Sequence, residues 1–334
     1  LSLCAPLTTF SNDYNRYLKE KNIEIKTQLG HALITYYVKN DLDTLQLIIK
    51  EQLHHSNQES YREGVICGWN GLGNLLIRKG KEIEGIQYLR KVKNYYLEVG
   101  DFFKVTECLN EIGNGYVKMK RDEDAVEWYL QSLEYANFVQ EYARGAEINL
   151  AQAYLRLGDY KSATFHAEAY RDQNLKLASY RNVANSFAVL GSIEMAKENN
   201  EAAIYNFEQC YVFAQKNSDN AMLGHAYNNL GIVFAINDKL EKSLESFNTG
   251  LGYRQKVKDV RLICDSYLNI ANLYLIKKDY DLAIMYANKG ISIAKSDKLY
   301  ENQLESYELL KEIYSEYDIE QLPPILTKIE SITQ

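Results

Sequence analysis

A 40-residue period runs through almost the whole chain and leaves few folds open. The segments WNGLGNLLIRKGKEIEGIQYL from Trp69, LNEIGNGYVKMKRDEDAVEWY from Leu109 and YNNLGIVFAINDKLEKSLESF from Tyr227 can be laid over one another. A small residue after a Leu or Ile serves as an anchor: Gly73, Gly113, Ala151, Gly191, Gly231 and Ala271, with degenerate anchors at Leu33 and Lys311. Successive anchors are 40 residues apart, except for one interval of 38. Self-similarity at such a period marks a repeat architecture, in which each repeat buries its apolar face only against its neighbours.

Each repeat has the same internal grammar. Three residues after the anchor stands a bulky residue, as at Tyr36, Leu76, Tyr116, Tyr154, Phe234, Tyr274 and Tyr314. Twelve after it stands a small one, as at Gly85, Ala125, Ala163, Ala203, Ser243 and Ala283. Sixteen after it come Leu89, Tyr129, Phe207 and Phe247. Polar turn clusters divide each repeat, for example KNDL at 39–42, LGDY at 157–160, ENNE at 198–201, INDK at 236–239 and KKDY at 277–280. Two helices joined by a short turn follow from this pattern. The small residues mark close helix approaches and the bulky ones fill the space between repeats. Residues 7–322 contain no proline, as uninterrupted helices require.

The grammar resembles that of the tetratricopeptide repeat, with W-x2-L-G-x2-Y, then Ala, then Phe. The resemblance covers about Lys26 to Tyr317 and implies an all-α, right-handed solenoid of about eight helix pairs. The period departs from the usual 34 residues, and six more residues add about 9 Å of helix per repeat. Three segments are expected: a linker or capping helix over 1–26, the array over 27–317 and a capping helix over 318–334. Thr9–Lys26 reads as one helix with Ser11 or Asn12 as its N-cap. Pro323 and Pro324 delay the last helix and fall in its first turn.

Composition narrows the chemistry. A net charge of −7 argues against polyanion binding by this chain. The cysteines Cys4, Cys67, Cys108, Cys210 and Cys264 are scattered and odd in number, which reads as reduced thiols in a cytoplasmic protein. No apolar run reaches membrane-span length, so no membrane partner is expected. The five histidines show no metal-ligand spacing, and His54-His55 reads as part of a solvated loop between repeats. Gly71-Leu72-Gly73 lacks the lysine-hydroxyl pair of a phosphate loop. No catalytic site, metal or cofactor is expected.

In tetratricopeptide arrays the first helix of each repeat lines the concave groove. The resemblance implies groove-facing positions six, three and two before the anchor, and one, four and five after it. The chain has 28 asparagines, and ten occupy offsets −6, −3, −2 or +1: Asn70, Asn74, Asn110, Asn114, Asn149, Asn185, Asn228, Asn229, Asn269 and Asn272. Even distribution would put about three there. Asn forgoes roughly 0.6 kcal/mol of helix propensity against Ala, so the excess needs a reason. One reason is structural, with carboxamides linking neighbouring first helices or tolerated on a wet face. The other is recognition, because each carboxamide can donate to and accept from an extended peptide backbone. Gln152 and His225 occupy groove offsets too, and Tyr37 reads as facing the groove. Most other tyrosines fall where repeats pack. Five after the anchor come Arg78, Lys118 and Arg156, then Ala196, Ile236 and Ile276, then Glu316 beside Glu305, Glu308 and Glu312. The groove thus reads basic, then apolar, then acidic, unless the basic residues merely complement helix C-termini.

Long repeats, about eight of them, and asparagine-lined first helices together resemble the peptide-pheromone receptors of Gram-positive bacteria, the RRNPP group. The resemblance implies a cytoplasmic, quorum-sensing, homo-oligomeric regulator that binds a short signalling peptide. DNA would be reached only through a helix-turn-helix domain that this chain does not contain. Two alternatives remain: a Rap-like protein that binds a response regulator, and a generic scaffold for partner proteins.

Overall fold

The structure, a computed structural model, describes residues 7–138 and 145–333. Its regularity starts in the turns. Residues 60, 80, 100, 120, 158, 178, 198, 218, 238, 258, 278 and 298 all have φ between +51° and +78°. Only Gly80, Gly100 and Gly158 are glycines, so Ser, Lys, Ala, Glu and Asp take the left-handed conformation at the rest. This is the helix-ending geometry of a C′ residue, repeated about every 20 positions, and glycine adopts it without the Cβ penalty. Asp101, Asn199, Asp219, Asp259 and Asp279 then cap the next helix by accepting a main-chain N–H with their side chains.

The described residues form seventeen α-helices, one 3-10 turn and no strand. Helix α1 spans Leu7–Lys19. Helices then follow two to a repeat in chain order: α2 (Ile23–Asn40) and α3 (Leu42–Gln58), α4 (Arg62–Arg78) and α5 (Glu82–Val99), α6 (Phe102–Lys118) and α7 (Asp122–Phe138), and α8 (Ala146–Arg156) and α9 (Tyr160–Lys176). Then come α10 (Tyr180–Ala196) with α11 (Asn200–Lys216), α12 (Asn220–Ile236) with α13 (Leu240–Val257), α14 (Val260–Ile276) with α15 (Tyr280–Ser296), and α16 (Tyr300–Tyr317) with α17 (Leu322–Thr333). The chain divides into two compact bodies after Asp159. In the first, α2, α4, α6 and α8 lie side by side in that order; in the second, α10, α12, α14 and α16 do.

The anchor glycines explain how tightly their own helix pairs close. A Cβ on Gly113 would come within 2.4 Å of the Tyr129 ring, one on Gly191 within 2.6 Å of Phe207, and one on Gly231 within 2.6 Å of Phe247. On Gly73 it would meet Leu89 at 2.8 Å. In these four repeats the residue sixteen after the anchor therefore lies on the anchor itself. Ala271 has Ala287 in that position, both fully buried in one core cluster. A bulky residue is matched to glycine and alanine to alanine, which conserves volume across the contact. Tyrosines stack within a repeat, as in Tyr227–Tyr253 and Tyr274–Tyr286, and pack between neighbouring repeats, as in Tyr211–Tyr227 and Tyr280–Tyr317.

Four expectations are corrected. Thr9–Lys26 is not one helix: Glu20 accepts from the N–H groups of Lys21 and Asn22, and Asn22 caps α2 through Glu24 N and Ile25 N. Ser11 and Asn12 fall inside α1 and do not cap it. His54 and His55 belong to the last turns of α3, where His55 bonds Glu51 at 2.8 Å. Tyr37 packs against the core of the first repeat, edge-on to Tyr36. The prolines behave as read: the 3-10 turn Ile319–Gln321 leads into α17, with Pro323 and Pro324 in its first turn. Cys67, Cys108, Cys210 and Cys264 are free and buried, while Cys4 lies outside the described residues.

Candidate functional site

Which first-helix residues reach the open face follows from the helical angle. The anchor points at its own second helix. At about 100° per residue, offsets −2 and +5 point about 160° and 140° from the anchor, and −6 and +1 about 120° and 100°. Offset −3 lies only about 60° away and is turned into the packing. Asn110 and Asn228, both at −3, are accordingly 7% and 8% exposed, which removes them from an open groove. Asn70, at the same offset, is half-buried. Ile236 and Ile276, at +5, are each 58% exposed.

In the first body, the carboxamides are largely engaged with the protein. Asn74 donates to the Asn70 carbonyl at 3.2 Å. Asn114 accepts from the Tyr129 hydroxyl at 2.7 Å and donates to Glu111. Asn149 and Gln152 are half-buried on α8. Arg78 and Lys118 are exposed in the last turns of α4 and α6. Arg156 does not stand free: its guanidinium binds Asp122 at 2.7 Å, joining the C-terminal end of α8 to the N-terminal end of α7. Each charge there complements the helix end that carries it. A hollow of about 500 Å³ also opens on this body, lined by Glu24, His31, Tyr61, Cys67, Tyr95 and Lys104 among others. Burial, then Lys104, hold the His31 imidazole below its ordinary pKa.

In the second body, a row of hollows follows the first helices. Asn185 and His225 line one of about 200 Å³ with Arg181, Asp219, Met222 and Leu262. His225 remains at the surface, yet the surrounding protein displaces enough water to lower its pKa, and Arg254 adds to the shift. Asn229 bonds the His225 ring. Asn269 donates to Asn228 at 2.8 Å, tying α14 to α12. This pair realises the structural reading of asparagine. Asn272 is different: it is exposed, its side chain makes no hydrogen bond among the described residues, and it lines three adjoining hollows.

One of those hollows is apolar and occupies about 270 Å³ between α12 and α14. The other two, of about 360 and 850 Å³, are bordered by Asp265, Glu305, Glu308 and Glu312. Burial raises the Asp265 carboxyl, against the pull of Arg254 and an N–H from Asn302. Burial also raises Glu305, helped by Asp265 and Glu301. Asp265 was missed in the sequence, although it stands at offset −6 like Asn185 and His225. Among the described residues no group of three His, Cys, Asp or Glu could hold a metal ion, and no helix is long and apolar enough to cross a membrane.

A tetratricopeptide repeat family model matches residues 265–297. A comparison with curated protein sequences gives no match. Among solved structures, the chain is similar to aspartyl phosphate phosphatase F from Bacillus subtilis, with 15% identity, a TM-score of 0.65, and coverage of 100% of this chain and 96% of that one. It is also similar to NprR in complex with its cognate peptide NprX, with 18% identity, a TM-score of 0.57, and coverage of 87% and 88%. Against a chain of the APC/C hetero-tetramer Cut9–Hcn1 the identity is 15% and the TM-score 0.59. That match covers 92% of this chain but only 52% of the other. The likeness shows the fold: a tetratricopeptide-type helical solenoid.

Proposed function

We propose that this chain is the peptide-sensing part of a cytoplasmic quorum-sensing regulator, and that it binds a short extended peptide along its first-helix face. The observation that carries the reading is Asn272, an exposed carboxamide that has no hydrogen-bond partner among the described residues and stands at the junction of three hollows. A side chain that both donates and accepts suits a peptide main chain, and hollows on either side suit its side chains. Asn185, at offset −6 in another hollow, offers a second such contact. Asn228 ties α12 to α14 instead and Asn110 is buried, so their replacement would report on folding. A homo-oligomer, and DNA contact through a domain outside this chain, belong to the same proposal. The likeness to NprR crystallised with its peptide supports it.

The same face would also suit a scaffold that holds the tail of a partner protein, or a Rap-like protein with a second surface for a response regulator. The readings separate on whether a free short peptide suffices. Random octapeptides on beads are offered to the protein, and captured sequences are resynthesised for calorimetry. A recurrent sequence set is expected, with affinity reduced several-fold in Asn185→Ala/Asn272→Ala, since each hydrogen bond contributes about 0.5–1.5 kcal/mol. Capture of no recurrent set, or an unchanged affinity in the folded double variant, defeats the proposal.

A further inference from the structure

The apolar hollow and the carboxylates of the second body lie on opposite flanks of α14, and Asn272 borders both. Ile232 and Ile236 of α12 form one wall of the apolar hollow and Leu273 and Ile276 of α14 the other, with Phe247 from α13 also lining it. On the far flank, between α14 and α16, Asp265, Glu305, Glu308 and Glu312 border the open space. Lys311 contacts Glu308, Arg261 acts on Asp265, and Glu301 adds a fifth negative charge beside Glu305. Arg254 lies buried and is committed to the Leu262 carbonyl at 2.9 Å and the Ser266 hydroxyl at 2.7 Å. The open side therefore keeps an excess of negative charge next to a hydrophobic recess.

Resting on the peptide-binding proposal, we infer that the ligand places a bulky apolar side chain between α12 and α14 and a cationic group between α14 and α16. The spacing follows from helix packing. Neighbouring helices lie about 8–10 Å apart, and an extended chain advances about 3.3 Å per residue. The two groups are thus separated by about three residues, with the intervening main chain passing Asn272. The cation is a lysine or arginine side chain, or the ammonium of the peptide's own N-terminus. Charge complementarity selects it: an acidic group on that flank would face four carboxylates within a partly desolvated recess. Burial already raises the carboxyls of Asp265 and Glu305, and a bound cation would relieve that cost.

The test uses the whole chain and two synthetic octapeptide libraries on beads, one with free and one with acetylated amino termini. Wild type is expected to enrich Leu, Ile, Val, Met or Phe about two to four positions from Lys or Arg. In the free-amine library the amino terminus can take the place of the basic residue, and enrichment in that library alone assigns the cation to the terminus. Glu305→Gln/Glu308→Gln/Glu312→Gln keeps the shape and should weaken the selected peptide at least tenfold, while the apolar preference persists. Ile236→Ser/Ile276→Ser should lose the apolar preference and keep the basic one. Peptides enriched without any cation, or a basic preference unchanged in the triple variant, overturn this inference and leave the peptide reading standing. No enrichment by wild type overturns both.

Discussion

Gly191 offers a test of what closes each helix pair, because its alanine variant is pulled in two directions. Helix propensity alone favours alanine over glycine by about 1 kcal/mol. The tertiary contact opposes it: a Cβ at Gly191 would lie 2.6, 2.7 and 2.9 Å from three atoms of the Phe207 ring. Carbon atoms settle at about 3.5–4.0 Å, so the ring would have to retreat by about 1 Å. Phe207 is fully buried and has nowhere to go. Overpacking of this kind costs about 1–3 kcal/mol, and three short contacts place it toward the upper end. Gly191→Ala should therefore destabilise by about 2 kcal/mol net. Gly252→Ala is the control, because Gly252 lies within α13 and a Cβ there meets nothing within 4 Å. It should stabilise by about 1 kcal/mol. The decisive measurement is a double-mutant cycle by urea unfolding, followed by circular dichroism. Phe207→Ala alone should cost about 3–5 kcal/mol. Adding Gly191→Ala to that background recreates the native pairing of Ala271 with Ala287, so it should now stabilise. A coupling of about 3 kcal/mol is expected. If Gly191→Ala has the same effect with Phe or Ala at 207, the matched-volume argument fails.

Three further outcomes follow from the same geometry. Ala178 has a φ of 51°, so Ala178→Gly should raise stability by about 1 kcal/mol in the same assay, and a loss would refute the strained-turn account. Arg156→Ala should cost at most about 1 kcal/mol, since the pair with Asp122 is partly exposed, and should leave affinity for a selected peptide unchanged; a tenfold loss would return Arg156 to the ligand site. The folded state raises the Glu305 carboxyl, so its ionisation opposes folding and stability falls as pH rises from the ordinary carboxylate range through the raised value. Glu305→Gln should raise the melting temperature near neutral pH and leave it unchanged below that range; an equal gain at both pH values would show that charge is not the cause.

How far the sequence reached can be traced residue by residue. Anchors, small residues at +12 and bulky residues at +16 are local periodicities, and a repeat array satisfies them with neighbouring chain, so all eight helix pairs were legible. Pro323 and Pro324 announced a late last helix because proline acts on its own backbone. The start of α2 was misplaced, because Asn22 became visible as a cap only when the chain broke at Glu20. The open face was read one position too broadly: offset −3 shares a helical stripe with −6 and +1, but lies nearer the buried anchor, and Asn110 and Asn228 there are buried. Whether a carboxamide is free depends on what stands opposite, and Asn228 meets Asn269, Asn114 meets Tyr129 and Arg156 meets Asp122 only in three dimensions. Sequence by itself determined the repeat, its two helices and the residues eligible for the open face, because those follow from spacing along one chain. Tertiary structure decided which of them remain available, because a polar side chain binds the nearest partner, and for Asn114, Asn228 and Arg156 that partner stands on another helix.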